Sequence, residues 1–124
     1  MNLLFWKAFL GLVAYDLLLL RGNFATLHTR VRRWRVARTN PSLYTTGQVC
    51  DAVNRACSWY PKRALCLQRA AVTTCLLRSC SIPAQMVLGA QKIPFKAHAW
   101  VEVEGRAVNE MTDVQTVYGT WERC

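Results

Sequence analysis

The feature that most constrains the fold is a change of hydrophobic periodicity at Pro83. Before this residue, apolar positions recur at intervals of three and four, which is the spacing of one face of an α-helix. After it, residues 97–103 alternate between apolar side chains and His98, Trp100 and Glu102, which is the period of a β-strand. Helices that precede a run of short strands are typical of the α+β class. The sequence therefore predicts N-terminal helices followed by a small antiparallel sheet.

Turn-forming residues divide this pattern into elements. Gly22-Asn23, Asn40-Pro41 and Pro61 interrupt the helical part, because glycine and proline end helices. The predicted helices cover 3–20, 24–37, 46–59 and 64–79, and the predicted strands cover 85–90, 97–103 and 106–110. The tail, residues 112–124, has no clear pattern. A length of 124 residues suits one compact unit, in which we distinguish a helical extension, residues 1–40, from a core, residues 41–124.

Residues 3–20 are apolar enough to raise the question of a membrane segment. Lys7 and Asp16 interrupt the run, and each would cost about 2.5–3.5 kcal/mol near the centre of a bilayer. No small-residue cleavage site follows it, as a signal peptide would require. We therefore expect a cytoplasmic protein whose first helix packs against the domain or a partner. A helix that lies on the membrane surface is the alternative.

The six cysteines do not have the spacing of a metal site. None of them forms a C-x-x-C pair, and the chain has only two histidines, whereas structural zinc needs four clustered ligands. The chain is also rich in Leu and Val, unlike small domains that depend on disulfides. We expect reduced, mostly buried thiols, no metal and no cofactor.

Cys66 is the best candidate nucleophile among the cysteines. It lies at the predicted start of the fourth helix, where the helix dipole places partial positive charge. Lys62, Arg63 and Arg69 add to that charge and favour the thiolate over the thiol. Cys75 lies near the opposite end of the same helix, where the dipole has the opposite sign.

A thiolate nucleophile needs an imidazole that takes its proton and later returns one to the leaving amine. His98, in the alternating strand, is the candidate base. The other histidine, His28, lies in the basic second helix and is expected to be solvated.

The base in turn needs an acceptor that orients its ring. A two-residue turn at Glu104-Gly105 would place Met111 opposite His98 and Asn109 diagonally on its face. A three-residue turn, residues 103–105, would place Glu110 directly opposite His98, and Gly105 at the third loop position favours it. Glu110 is therefore the first choice, Asn109 the second and Asp113 the third.

The segment that contains these residues resembles a known family. CLQRAAVTTCLLRS, IPAQMVLGA and AHAWVEVEGRAVNE, between Cys66 and Glu110, are similar to the transglutaminase-like cysteine peptidases that remove leader peptides in lasso-peptide biosynthesis. The closest similarity is to the free-standing protease half of that maturation enzyme. It is close over about half the chain and looser over the first two helices.

The resemblance implies a transglutaminase-like, papain-like core with a Cys-His-Asp triad on Cys66, His98 and the position of Glu110, where glutamate replaces the usual aspartate. Cys66 would attack the carbonyl between leader and core peptide and form a thioester that water hydrolyses. The Cys66 N–H would stabilise the oxyanion, with Gln68 or Trp59 as candidates for a second donor.

The resemblance also implies partners: the precursor leader peptide, a separate leader-recognition protein and a lasso cyclase. As a hypothesis, the arginines from Arg30 to Arg38, or the apolar first helix, form the docking surface; the alternative is that these arginines only solvate the helix. No Gly-rich phosphate-binding loop is present, and an ATP requirement is left open.

Two other functions are consistent with the sequence. An acyl transferase of the same fold would form the same thioester. A non-enzymatic module could use the arginines around Trp34 and the net charge of +9 to bind phosphates or anionic lipid, although we expect no nucleic-acid partner.

Overall fold

Four helices precede a four-stranded sheet in the computed structural model, which describes residues 3–21, 24–34, 36, 45–59, 66–80, 82–92, 95–108 and 119–123. The helices are α1 (Leu3–Leu20), α2 (Phe24–Arg33), α3 (Thr46–Trp59) and α4 (Cys66–Ser79). The strands are β1 (Ala84–Lys92), β2 (Phe95–Val103), β3 (Arg106–Val108) and β4 (Gly119–Arg123). This order confirms the predicted α+β class. The strand β4 lies in the tail for which the sequence pattern predicts no element.

The ends of α3 agree with the prediction, and its start has a clear local cause. The Thr45 hydroxyl accepts from the Gln48 N–H at 3.2 Å, and the Gln48 side-chain oxygen accepts from the Thr45 N–H at 2.8 Å. This reciprocal pair is a capping box, which satisfies two N–H groups that a helix start leaves without partners.

The helix α2 is shorter than predicted, because it ends at Arg33 rather than at residue 37. Trp34 N–H bonds to the Val31 carbonyl at 3.2 Å, which tightens the last turn. The guanidinium of Arg78 donates hydrogen bonds to the carbonyls of Val31 and Trp34. The end of α2 is therefore set by a side chain from α4, which periodicity within α2 cannot reveal.

The strands are antiparallel and lie in the order β3-β2-β1-β4. The hairpin between β2 and β3 pairs Val103 with Arg106, so its loop contains only Glu104 and Gly105. Their φ angles of 54° and 78° are those of a type I′ turn. The three-residue turn predicted from Gly105 is therefore wrong. Glu104 itself adopts a left-handed conformation, which sequence reasoning reserves for glycine.

The helices cover one face of the sheet and share a single core with it. Leu12 and Tyr15 of α1, Ala71 of α4, and Ala99 and Val101 of β2 belong to the same buried cluster. The helix α1 also approaches α4 closely at Gly11, where an added Cβ would lie 3.2 Å from Val72. The predicted extension thus packs into the same core as the rest of the chain. In the described ranges, no helix combines the length and the apolar content that crossing a bilayer requires.

Arg78 links three elements from a nearly buried position, being 7% exposed. Its Nε donates to the Ala84 carbonyl at 2.9 Å, while Nη1 donates to the carbonyls of Val31 and Trp34. The side chain therefore joins the end of α4 to the end of α2 and to the start of β1.

Arg78→Met is expected to lower the free energy of unfolding by about 2–3 kcal/mol, because buried carbonyl oxygens lose their donor. Urea denaturation followed by circular dichroism measures this loss. Arg55→Met is the control, since Arg55 is exposed on α3 and surface changes stay within about 0.5 kcal/mol. Equal losses in the two variants would show that Arg78 does not link the elements.

Candidate active site

The predicted nucleophile lies at a helix N-terminus. Cys66 is the first residue of α4, where the dipole concentrates partial positive charge that stabilises a thiolate. The prediction put the helix start at Ala64, and residues 61–65 lie outside the described residues, as does the Cys66 side chain. Its main-chain position is thus as the sequence predicts.

Cys66 and the predicted base lie at the same end of the helix–sheet unit. The bond from Arg78 to Ala84 places the end of α4 beside the start of β1. Because α4 also packs against β1 and β2, the two consecutive elements run in opposite directions. From Arg78 back to Cys66 the helix rises about 18 Å. From Ala84 to Gly89 the strand extends about 17 Å. Gly89 pairs with His98 in β2, which brings His98 level with Cys66 along the unit.

His98 is half-buried in β2. Its partner in β1 is Gly89, which offers no side chain against the imidazole. Glycine in a strand is typical of places where a ligand or another part of the chain approaches closely. Gly89 is itself buried, so neighbouring residues cover this position of the sheet.

A buried tryptophan and a buried glutamate support the imidazole from within the same strand. The rings of His98 and Trp100 stack at 24° with centroids 6.0 Å apart. Trp100 Nε1 donates to the Glu102 carboxylate at 3.0 Å, and both residues are at least 97% buried. Sequence analysis placed the three residues on one face but gave Trp100 and Glu102 no role. The sequence could have indicated these roles through the spacing of the three residues, because residues two apart in a strand have side chains on the same face.

His98 lies on the face of the sheet that the helices do not cover. Ala99 and Val101 pack into the core shared with α4, whereas Trp100 packs with Val87 in a separate cluster. Because side chains alternate along a strand, His98 is on the Trp100 face. The helix α4, which begins at Cys66, packs on the opposite face, so the fold alone does not bring the Cys66 thiol to the imidazole. That contact stays a prediction.

The third member of the predicted triad is Glu110. The strands β2 and β3 pair Val103 with Arg106 and Val101 with Val108, which is the register of the two-residue turn. The argument that Glu110 lies opposite His98 therefore fails. The turn that is present is the one that favoured Asn109. Glu110, Asn109 and Asp113 all lie outside the described residues, and the assignment among them stays a prediction.

The prediction that His28 is solvated is wrong. It is half-buried in α2, and its Nε2 atom is fully buried. The helix α2 packs on α1 and α4, so that side chains between its exposed arginines point inward. Arg30, Arg32 and Arg33 are exposed, as expected for the basic run, while Arg35 and Arg38 lie outside the described residues.

Three other cysteines are unsuited to nucleophilic attack. Burial raises the pKa of the thiols of Cys50, Cys57 and Cys75, so they remain protonated at neutral pH. Cys75 is also 3.0 Å from the hydroxyl of Tyr15, whose own pKa is raised chiefly by burial. These thiols and that of Cys80 are free, as predicted. Their protonated state makes these three thiols poor nucleophiles at neutral pH, and the choice of Cys66 stays a prediction.

The two suggested oxyanion donors differ in position. Gln68 is 4% exposed and donates from Nε2 to Asp16 at 3.3 Å, which directs its amide towards α1. Trp59 ends α3 and is 66% exposed.

Arg69, expected to favour the Cys66 thiolate, also lowers the pKa of Cys50 and Cys57 against the larger effect of burial, which places its charge between α3 and α4.

Comparison with known proteins gives one match. The family described as Transglutaminase-like superfamily matches residues 10–120 of the chain. No curated protein and no solved structure matches at a significant level. The matched range contains Cys66, His98 and Glu110, and it extends to both sides of residue 40.

Limiting iodoacetamide at pH 7 is expected to alkylate Cys66 first. Cys50, Cys57 and Cys75 should react at least about ten-fold more slowly, because burial lowers their thiolate fraction as well as their access. Their rates should rise only well above the pH at which an ordinary thiol ionises, because burial raises their pKa values. Peptide mass spectrometry after digestion measures each site, with urea-unfolded protein as the control. Labelling of Cys75 as fast as Cys66 in folded protein would contradict the choice of nucleophile.

Proposed function

Because the chain belongs to the transglutaminase-like superfamily, we propose that it is a cysteine peptidase that removes the leader peptide from a lasso-peptide precursor. The superfamily includes cysteine peptidases and acyl transferases. The observation that carries the proposal is the position of Cys66 at the start of α4, within the range that matches the family. The resemblance of the segments around these residues to lasso leader peptidases supports the finer assignment.

In the proposed reaction, the Cys66 thiolate attacks the carbonyl carbon of the bond between leader and core. The Cys66 N–H, at the start of α4, stabilises the oxyanion. His98 donates a proton to the leaving amine, which frees the core peptide and leaves the leader as a thioester on Cys66. His98 then takes a proton from water, which hydrolyses the thioester and restores the thiolate.

The stack of His98 on Trp100 would hold the base during this cycle. An imidazole that alternates between neutral and charged forms benefits from an aromatic face, since the face attracts the cation. The Glu102 carboxylate holds the indole through its N–H bond of 3.0 Å. The ring planes are therefore defined before substrate arrives, which reduces the ordering needed in the transition state.

The partners belong to the same proposal. A leader-recognition protein would present the precursor, and a lasso cyclase would receive the freed core amine. The chemistry of the thiolate and imidazole needs no metal or cofactor.

Cys66→Ala and His98→Ala are each expected to reduce leader removal by at least about 10³-fold, because either change removes a reacting group. The assay combines the chain with a precursor and a leader-recognition protein from the same gene neighbourhood and follows cleavage by mass spectrometry. Cys75→Ser is the control and should retain activity while lowering the melting temperature. Full cleavage by Cys66→Ala protein would disprove the proposal, and transfer of the leader to an added amine in place of water would identify an acyl transferase.

The same assay identifies the residue that orients His98. Glu110→Gln, Asn109→Ala and Asp113→Asn are compared, and the orienting residue is the one whose change lowers kcat by about 10²–10⁴-fold with little change in KM. The family resemblance assigns this role to Glu110, with Glu110→Asp retaining activity. A loss confined to Asn109→Ala would instead assign the role that the two-residue turn favours.

A further inference from the structure

A groove on the helical side of the molecule is separate from the candidate active site. It lies between α1, α2 and α4 and has a volume of about 410 Å³. The α1–α4 groove, as we name it, is lined by Leu10, Ala14, Leu18, Val72 and Leu76. Its lining is mostly apolar, unlike an ordinary solvated cleft.

The α1 side of the groove is unusually apolar for exposed surface. Leu10 is 63% exposed, and Trp34, which also lines the groove, is 37% exposed. Outside the groove, Trp6, Leu17 and Leu20 of α1 are each at least half exposed. A helix that is apolar on all sides is normally covered on all sides. Contiguous exposed apolar surface of this kind is typical of an interaction site.

The charges at the groove have one sign. Lys7 and Arg30 line it and are both exposed, and no acidic side chain lines it among the residues that the structure describes. A partner with acidic residues beside its apolar ones would therefore be attracted electrostatically.

The shape favours a polypeptide over a lipid surface. The groove is a concave trough between helices, which receives protruding side chains, whereas a bilayer covers a convex apolar face. Along α1 it extends from Lys7 to Leu18, about 16 Å at the rise of an α-helix. That length matches about three turns of a partner helix.

We propose that the α1–α4 groove binds an acidic amphipathic helix of a partner polypeptide. Apolar side chains spaced by three or four residues enter the trough, and glutamate or aspartate residues beside them face Lys7 and Arg30. The α4 residues that line the groove begin at Val72, about 9 Å along the helix from Cys66. The occupant therefore leaves the N-terminus of α4 free, and the inference does not depend on the proposed peptidase activity.

The test is selection of a phage-displayed library of random peptides of about 16 residues on the wild-type protein, with counter-selection on Leu10→Glu protein. Selected peptides should carry apolar residues at intervals of three and four together with Asp or Glu. Their affinity, measured by fluorescence anisotropy, should fall about ten-fold or more in Leu10→Glu and in Lys7→Glu. Arg21→Glu is the matched control for Lys7→Glu and should have little effect, since Arg21 is exposed just after α1 and outside the groove lining. Binding to Cys66→Ala protein should be unchanged.

Four results would overturn the inference. The first two are a lack of peptides enriched over the counter-selection and enrichment of peptides rich in Lys and Arg. The third is a selection that yields no peptides while the protein binds vesicles of anionic phosphatidylglycerol and Leu10→Glu abolishes this binding. That result would assign the groove to a membrane surface. The fourth is a dimer in sedimentation experiments that dissociates on Leu10→Glu, which would assign it to a second copy of the chain. Circular dichroism of each variant ensures that all comparisons use folded protein.

Discussion

The placement of the candidate site depends on the hydrogen bonds of one buried arginine. Arg78 joins the end of α4 to the first residue of β1 and to the end of α2. These bonds hold the end of α4 beside the start of β1. Together with the packing of α4 on β1 and β2, they bring the N-terminus of α4 level with His98 along the sheet. A buried guanidinium is stable here because each donor used meets a carbonyl oxygen, which avoids the cost of an unsatisfied buried charge. The catalytic proposal thus rests on a structural contact at the opposite end of the helix.

The two halves of the proposed site are held in different ways. Cys66 depends on the helix start, where the local field favours the thiolate. His98 depends on its strand, in which Trp100 and Glu102 form a buried support on the same face. The helices cover the other face of the sheet, so the proposed pairing of Cys66 with His98 depends on the Cys66 side chain and the segments around it.

Local patterns predicted the elements well, and long-range contacts explain where they failed. The alternation of residues 97–103 predicted β2, and α3 was predicted to the residue because a capping box within its own sequence sets its start. The end of α2 was missed because a residue 44 positions later, Arg78, bonds to Trp34. The turn was misjudged because Glu104 takes a left-handed conformation that propensity assigns to glycine. The roles of Trp100 and Glu102 follow only from ring geometry and burial.

The pH dependence of Cys66 alkylation tests the central claim most directly, because it reports whether the thiol and the imidazole of His98 interact. The rate of reaction with iodoacetamide is measured across pH in wild-type and His98→Ala proteins, with the labelled site identified by mass spectrometry. The account predicts a midpoint below the ordinary cysteine value of about 8.5 in the wild type and a rise towards that value in His98→Ala. Identical midpoints in the two proteins would contradict it, since Cys66 would then be independent of His98.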